Sequence, residues 1–189
     1  MSELADSNER YLGIANTLLE IYRTDLYATV PTRVAADVAE LLDAAMRLND
    51  RHAHQKNVQM KLNISEPMPS IEGVPSALRQ VFHNLIQNAV AASPSGETVE
   101  IDLTKSPTHV IVTVTDRGNG MSDKQIDQLF DSTRAAFSIA KKSTSTGLGL
   151  YLCRLLIEAH NGSVSCKSAP EGGTTFSVEL PLNNENVTA

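Results

Sequence analysis

The chain has 189 residues, of which 41% are hydrophobic, so it is long enough for one compact domain with a helical appendage at one end. Acidic residues outnumber basic ones by 22 to 16, and the formal net charge of -6 provides no overall positive field to attract nucleic acid or an anionic membrane. The sequence lacks the basic and then apolar start of a signal peptide, and no stretch approaches the ~18 apolar residues that a membrane span needs. We therefore expect a soluble, cytoplasmic domain that contacts neither nucleic acid nor membrane.

The first predicted element is a helix over residues 7–26, because its apolar residues recur at alternating spacings of three and four. Such a narrow seam is typical of a helix that pairs with a second helix. A homodimer through this helix is therefore possible. The seam residues are Tyr11, Ile14, Leu18 and Ile21.

A second helix and a strand are predicted next. Pro31 interrupts the helical pattern, because proline is not tolerated inside a helix, and Thr32 can cap a new helix that runs to about Asn57. Residues 58–64 alternate between apolar and polar, which indicates a half-buried strand. Residues 66–75 are predicted to form a loop.

The clearest periodicity lies between Pro75 and Ala92. The apolar residues of this segment fall on one arc of a helix that Pro75 can begin and that the following SPSG ends. Two alternating segments follow at residues 99–103 and 110–114. The turn-rich KSPT between them predicts an antiparallel hairpin.

The last third of the chain is predicted to hold a polar segment between regular elements. A short helix near residues 123–130 precedes residues 131–146, which are rich in serine, threonine and lysine and show no sustained periodicity. We expect a mobile flap there. Helical spacing resumes over residues 150–160, and Asn161-Gly162 stops it before two final strands around a PEGG turn.

The alternating strands also predict the fold class. A strand that alternates between apolar and polar residues has one face that a layer of helices can cover. The predicted elements therefore favour an antiparallel sheet with helices on one side. We predict an α+β fold, specifically a two-layer α/β sandwich.

Two asparagines on the helix that Pro75 begins are candidate ligands. Asn84 and Asn88 are one turn apart at the edge of the apolar arc, where we expect them to be half-buried. An amide oxygen there can ligate a hard cation such as Mg²⁺, which takes the rest of its shell from waters and phosphate oxygens. Taken alone, the pair favours the alternative that both asparagines bond to nearby backbone groups.

The segment DRGNGM, Asp116–Met121, leaves a valine-rich strand. Gly118 and Gly120 allow a sharp turn and a close backbone approach that a side chain would block. At the strand end, Asp116 can accept a hydrogen bond from an exocyclic amine, which selects adenine over guanine. An Asx turn that only ends the strand is the alternative.

The segment STGLGL, Ser145–Leu150, runs two glycines directly into a helix. A helix start offers free N–H groups and a positive dipole end, and the glycine backbone can wrap around phosphates. Thr146 can add a hydroxyl donor, and Lys141 or Lys142 a mobile positive charge. A helix-starting turn next to solvated lysines is the alternative.

The order and spacing of these segments resemble the ATP-binding catalytic domain of sensor histidine kinases, a branch of the superfamily shared with gyrase, Hsp90 and MutL. HNLIQNAVAAS is similar to the asparagine box of that family, DRGNGM to its first glycine box and STGLGL to its second. GVPSALRQV and EAHNGSVSCKSAPEGGTTFSVELPL add to the likeness, which covers roughly residues 33–182. It implies the Bergerat fold, with a mixed, mostly antiparallel sheet covered by helices on one face and an additional N-terminal helix.

The resemblance implies a role for each box, with ATP and Mg²⁺ as the cofactors. Asn88 would be the magnesium ligand, and Asn84 its neighbour at the phosphates. Asp116 would recognise adenine, and the pocket around the base would include Gly118, Gly120 and Met121. The phosphate chain would be held by Gly147, Leu148, Gly149 and Leu150, with Lys141, Lys142 and Thr146 in an ATP lid over residues 131–146.

The resemblance also implies a domain organisation and partners. Residues 1–30 would be the second helix of a dimerisation hairpin, residues 31–184 the catalytic domain, and residues 185–189 a disordered tail. The chain lacks the histidine box of that hairpin, so we expect a part of a longer kinase, which could be anchored in a membrane. It would transfer the γ-phosphate of ATP to a histidine on a separate hairpin, for onward transfer to the receiver domain of a response regulator.

The sequence also bears on three alternative functions. An ATP-hydrolysing relative would carry a glutamate as general base one turn before Asn88, but Asn84 stands there, and an amide is a poor base. The same substitution disfavours the related serine kinases. Ala91 and Ala92 replace the lysine and aromatic residue that many members have after the asparagine box, and the phenylalanines before the lid are rearranged. These departures leave a non-catalytic nucleotide-binding or dimerising scaffold as the alternative.

Overall fold

The computed structural model describes residues 32–65, 67–127, 129, 148–168, 170 and 172–182. The predicted helix over residues 7–26, the flap over 131–146 and the tail over 185–189 lie outside the described residues. Within the described residues, no helix combines the length and the apolar character that crossing a membrane requires.

Helix α1 spans Val38–Lys56, and its start differs from the prediction. Asp37, rather than Thr32, caps it, because the Asp37 carboxylate accepts hydrogen bonds from the backbone N–H groups of Ala39 and Glu40. The residues before the cap form a short strand, β1, Val34–Ala36. At its other end α1 stops at Asn57, whose φ of 55° is left-handed.

Helix α2, Pro75–Ala92, has the limits that the sequence predicts. Proline occupies its first turn, where the missing N–H is not needed. Burying each of its larger apolar side chains contributes about 1.5–3 kcal/mol. The buried residues of α2 are Leu78, Val81, Phe82, Leu85, Ile86, Ala89 and Val90.

The two remaining helices begin or end differently from the prediction. Helix α3, Asp123–Ile126, is a single turn, shorter than predicted, and the N–H of Leu129 bonds three residues back to the Ile126 carbonyl. Helix α4 spans Leu148–Glu158 and so begins and ends two residues earlier than predicted. Asn161, with φ of 57°, follows its end.

The main sheet consists of β2 Gln59–Ile64, β4 Thr98–Lys105, β5 His109–Asp116, β6 Ser163–Ser168 and β7 Thr174–Pro181. Its strands lie in the order β2-β4-β5-β7-β6. Strand β2 pairs with β4 in parallel, and the other three pairs are antiparallel, as the mixed, mostly antiparallel prediction requires. β1 pairs with β3, Ile71–Gly73, in a separate two-stranded sheet, and β3 lies inside the loop predicted over residues 66–75.

The core lies between the sheet and the helices α1, α2 and α4, with α2 between the other two. Alternate residues of β4, β5 and β7 point into it, which confirms the two-layer α/β sandwich. Helix α2 lies near the C-terminal end of β5 through Ala92, which is beside Gly118, and near the start of α4 through Asn84, which is beside Gly149. The core residues of the three strands are Val99, Ile101, Leu103, Val110, Val112, Val114, Phe176, Val178 and Leu180.

Candidate functional site

The asparagines of α2 lie where the sequence predicts, half-buried at the edge of its buried arc. Asn84 faces the start of α4, since a Cβ added to Gly149 would lie 3.6 Å from Asn84 Nδ2. The Oδ1 atom of Asn84 accepts a hydrogen bond of 3.2 Å from Gln80 Nε2. No hydrogen bond joins the Asn88 side chain to another described residue, so its amide can take an external ligand.

Asp116 ends β5 and is buried, with 3% of its surface exposed. Its Oδ1 atom accepts two backbone hydrogen bonds, 2.8 Å from the N–H of Gly118 and 3.2 Å from that of Thr174. Burial raises the pKa of Asp116, and the two N–H groups oppose that shift. Within the described part of the chain no donor bonds to Oδ2, so one carboxylate oxygen fixes the side chain and the other can accept from a ligand.

Gly118 connects Asp116 to the end of α2. A Cβ at this position would lie 2.8 Å from the carbonyl oxygen of Ala92, so only glycine fits without a shift of the backbone. Gly120 follows with a left-handed φ of 68°. The N–H of Met121 then donates a 2.8 Å hydrogen bond to Ser168 Oγ on β6, which holds the segment against the sheet.

The sequence did not identify the β7 end of this site. Gly173 has a φ of 74°, and a Cβ there would overlap the carbonyl oxygen of Asp116. Thr174 is buried, and its N–H supports the Asp116 carboxylate. Ser168 Oγ donates to the Gly173 carbonyl at 2.7 Å and so closes the turn. The PEGG sequence predicts a turn, but nothing in it shows that the turn packs on a residue 57 positions earlier.

The second glycine segment is described from Leu148 onward. Leu148, Gly149 and Leu150 form the first turn of α4, so free N–H groups of a helix start lie beside Asn84. Four predicted site residues lie outside the described residues, namely Lys141, Lys142, Thr146 and Gly147.

One face of α2 joins the two glycine segments. Asn84, Asn88 and Ala92 are spaced four apart, so they lie in one row along the helix. Asn84 lies beside Gly149 at one end of the row, and Ala92 lies beside Gly118 at the other. The two ends of the row are eight positions apart, which corresponds to about 12 Å of helix. The row thus presents the free Asn88 amide between a buried carboxylate acceptor and a helix start.

A metal ion at this row would depend on ligands that the protein does not supply. Among the described residues, no group of three or more histidine, cysteine, aspartate or glutamate side chains is placed to hold a metal. One amide oxygen suits Mg²⁺ when waters and phosphate oxygens complete its shell. The residues present therefore fit a magnesium ion that arrives with a phosphate ligand.

A separate cleft of about 440 Å³ lies at the opposite end of the sheet. It is lined by the β4–β5 turn, including Ser106 and Pro107, together with Met68 and Leu182. Asp116 ends β5, whereas this cleft lies at the beginning of that strand. The cleft is therefore distinct from the candidate site.

Known proteins resemble this chain along its whole described length. Residues 73–184 match the family model described as histidine kinase-, DNA gyrase B-, and HSP90-like ATPase. Sporulation kinase C of Bacillus subtilis is 34% identical over 151 residues, which are 78% of this chain and 33% of that protein. The probable sensor histidine kinase TcrY of Mycobacterium tuberculosis is 32% identical over 184 residues, 97% of this chain and 38% of that protein.

Solved structures give the same fold. Full-length ShkA in complex with AMPPNP matches with a TM-score of 0.79 and 25% identity, over 95% of this chain and 37% of that one. The mycobacterial sensor histidine kinase MprB matches with a TM-score of 0.67 and 22% identity, over 79% of this chain and 97% of that one. The chain spans between about a fifth and two fifths of the length of the curated relatives it matches. It belongs to the family of histidine kinase-, DNA gyrase B- and HSP90-like ATPases.

Proposed function

We propose that this chain is the ATP-binding catalytic domain of a two-component sensor histidine kinase. The observation that carries the proposal is the row on α2, where Asn84 lies beside Gly149 and Ala92 beside Gly118. A nucleoside triphosphate laid along the row would have its base at Asp116 and its phosphates at the start of α4. The sensor kinases among its relatives support the same assignment.

Asp116 would recognise adenine through its free oxygen. Oδ1 is held by the N–H groups of Gly118 and Thr174, so the carboxylate cannot rotate without losing both bonds. Oδ2 can then accept from the exocyclic amine of adenine, whereas guanine offers a carbonyl at that position. A site built for this hydrogen bond rejects the base that lacks the donor.

The phosphate end would combine Asn88 with the first turn of α4. Asn88 would ligate Mg²⁺, which supplies positive charge that balances the phosphate oxygens. Gly149 lets the backbone N–H groups of α4 approach the phosphates closely. Met121 would line the pocket around the base. Lys141, Lys142 and Thr146 would act on the phosphates as part of the lid, and Gly147 would hold the phosphate chain together with Leu148, Gly149 and Leu150.

Asn84 favours transfer to a histidine over hydrolysis. Its amide is a poor general base, and its oxygen already accepts from Gln80. A neutral imidazole has its own lone pair, so the enzyme needs mainly to position it in line with the γ-phosphate. We propose a histidine on a dimerisation hairpin outside this chain as the acceptor, with a response regulator receiver domain as the next partner. This role places the domain in the cytoplasm, where ATP is available.

Phosphotransfer to a supplied hairpin tests the proposal. The chain is mixed with the histidine-bearing hairpin of its parent kinase and radiolabelled ATP, and acid-labile, base-stable label on the hairpin is measured. We expect label with the wild type and none with Asn88→Asp, because a carboxylate changes the charge and geometry of the proposed metal site. ATP binding without any transfer would contradict catalysis and identify the scaffold alternative, which Ala91 and Ala92 motivate.

A further inference from the structure

Lys56 reaches from the end of α1 to the end of α2. Its Nζ atom donates hydrogen bonds to the carbonyl oxygens of Val90 at 3.1 Å, Ala91 at 2.6 Å and Ser93 at 3.2 Å. An ammonium group has three donors, so these carbonyls use all of them. The last turn of α2 has no basic residue of its own, and Lys56 supplies the positive charge that the negative end of the helix dipole favours.

The helix end that Lys56 holds is the same one that Gly118 contacts. The three carbonyls flank Ala92, whose own carbonyl oxygen would lie 2.8 Å from a Cβ at Gly118. Gly118 in turn donates its N–H to Asp116 Oδ1 at 2.8 Å. A movement of this last turn would therefore displace the N–H group that fixes the Asp116 carboxylate.

We infer that Lys56 is a positioning residue for the adenine end of the nucleotide site. It fixes the last turn of α2, so that Gly118 stays bonded to Oδ1 and Oδ2 stays directed at the base. The side chains of Ala91 and Ala92 are too short to fix this turn themselves, so the charge comes from the neighbouring helix. The inference rests on the proposed function, since it assigns Lys56 to the recognition of the base.

The test separates base recognition from general stability. Lys56→Met keeps most of the aliphatic stem and removes the charge, and Lys61→Met removes an exposed lysine of β2 as a matched control. Binding is measured by calorimetry with ATP, which would contact both ends of the site, and with inorganic tripolyphosphate, which would contact only the phosphate end. We expect Lys56→Met to weaken ATP binding about tenfold and tripolyphosphate binding less than about twofold. Lys61→Met should change neither.

A second readout does not need a ligand. Hydrogen exchange of the Gly118 amide in the nucleotide-free protein should become faster in Lys56→Met and stay unchanged in Lys61→Met. If Lys56→Met does not fold, Lys56→Gln, which keeps two donors without the charge, replaces it and should show both effects more weakly.

Two results would overturn the inference: unchanged ATP affinity in the folded Lys56 variant, or equal losses of ATP and tripolyphosphate. If the wild type binds no ATP, the proposed function fails. In that case the exchange of the Gly118 amide alone still decides whether Lys56 controls this segment, since an unchanged rate would refute the coupling.

Discussion

The substitution Asp116→Asn distinguishes the roles of the two oxygens of the buried carboxylate. The amide oxygen of asparagine can keep both backbone hydrogen bonds that Asp116 Oδ1 accepts from Gly118 and Thr174. The other oxygen is replaced by an NH₂ group, which cannot accept from the exocyclic amine of adenine. The substitution therefore removes the proposed recognition of the base while it keeps the local turn.

The expected magnitudes follow from these contacts. A hydrogen bond to a charged group contributes about 1.5–3 kcal/mol, so Asp116→Asn should weaken ATP binding about 10- to 150-fold. Because burial raises the pKa of Asp116, the fold disfavours its ionised form at neutral pH. Asparagine carries no charge, so the free energy of unfolding should stay the same or rise.

Calorimetry and urea denaturation on the same samples measure both effects. ATP and tripolyphosphate are titrated into the wild type and Asp116→Asn, and unfolding is followed at pH 7.5. We expect a large loss for ATP, little change for tripolyphosphate and no loss of stability. Equal losses for both ligands, or a clear drop in the free energy of unfolding, would refute the assignment of Asp116 to the base and make it a purely structural residue.

Three further predictions use other contacts. Gly173→Ala should lower both stability and ATP affinity, because its Cβ would overlap the backbone of Asp116. Gly96→Ala is the control, since Gly96 also has a positive φ but has open space around it, and it should cost only about 1–3 kcal/mol of stability. Gly149→Ala should not destabilise the protein, because alanine is favoured in a helix, yet it should weaken ATP binding by keeping phosphates from the backbone. Burial lowers the pKa of His160, so stability should be full above its usual pKa near 6.5 and fall as the pH drops below that value.

Urea denaturation and calorimetry test the first two of these predictions. Equal losses of stability in Gly173→Ala and Gly96→Ala would show that the contact with Asp116 does not matter. Unchanged ATP affinity in Gly149→Ala would remove the first turn of α4 from the phosphate site.

The pH prediction needs its own control, because burial also lowers the pKa of His83. His160 donates from Nδ1 to the Leu156 carbonyl and accepts at Nε2 from the Val74 N–H, so protonation removes the second bond. Arg33 adds a nearby positive charge that opposes it. Urea midpoints at pH 7.5 and 5.5 should therefore differ less in His160→Gln than in the wild type. Equal pH dependence in both would contradict the assignment of the effect to His160.

The sequence was sufficient to predict an element where residues within one segment determine its limits. Helix α2 had its predicted limits, since Pro75 at its start and the turn residues after Ala92 act locally. The three-residue strands β1 and β3 were missed because so few residues show no alternation. The predicted start of α1 was wrong, because Thr32 and Asp37 are both able to cap a helix. The pairing of β1 with β3 makes the residues after Thr32 a strand, so that the helix begins after Asp37.

The glycines and asparagines of the site could be predicted from the sequence, but the residues that hold them in position could not. Asp116 and Gly118 could be identified because an Asp-x-Gly sequence after a strand predicts a turn from neighbouring residues alone. Thr174 supports Asp116 from 58 residues away, and Lys56 reaches carbonyls 34 to 37 residues along the chain. Such contacts depend on how β7 and α1 pack, which no local pattern of residues encodes.

Titration of the chain with ATP and GTP, each with and without Mg²⁺, tests the central claim most directly. We predict binding of ATP that is selective over GTP, strengthened by Mg²⁺, and that loses its dependence on Mg²⁺ in Asn88→Ala, which removes the proposed ligand oxygen. Equal affinity for the two nucleotides, or no binding of either under any condition, would contradict the assignment of Asp116, Asn88 and the start of α4 to an ATP site.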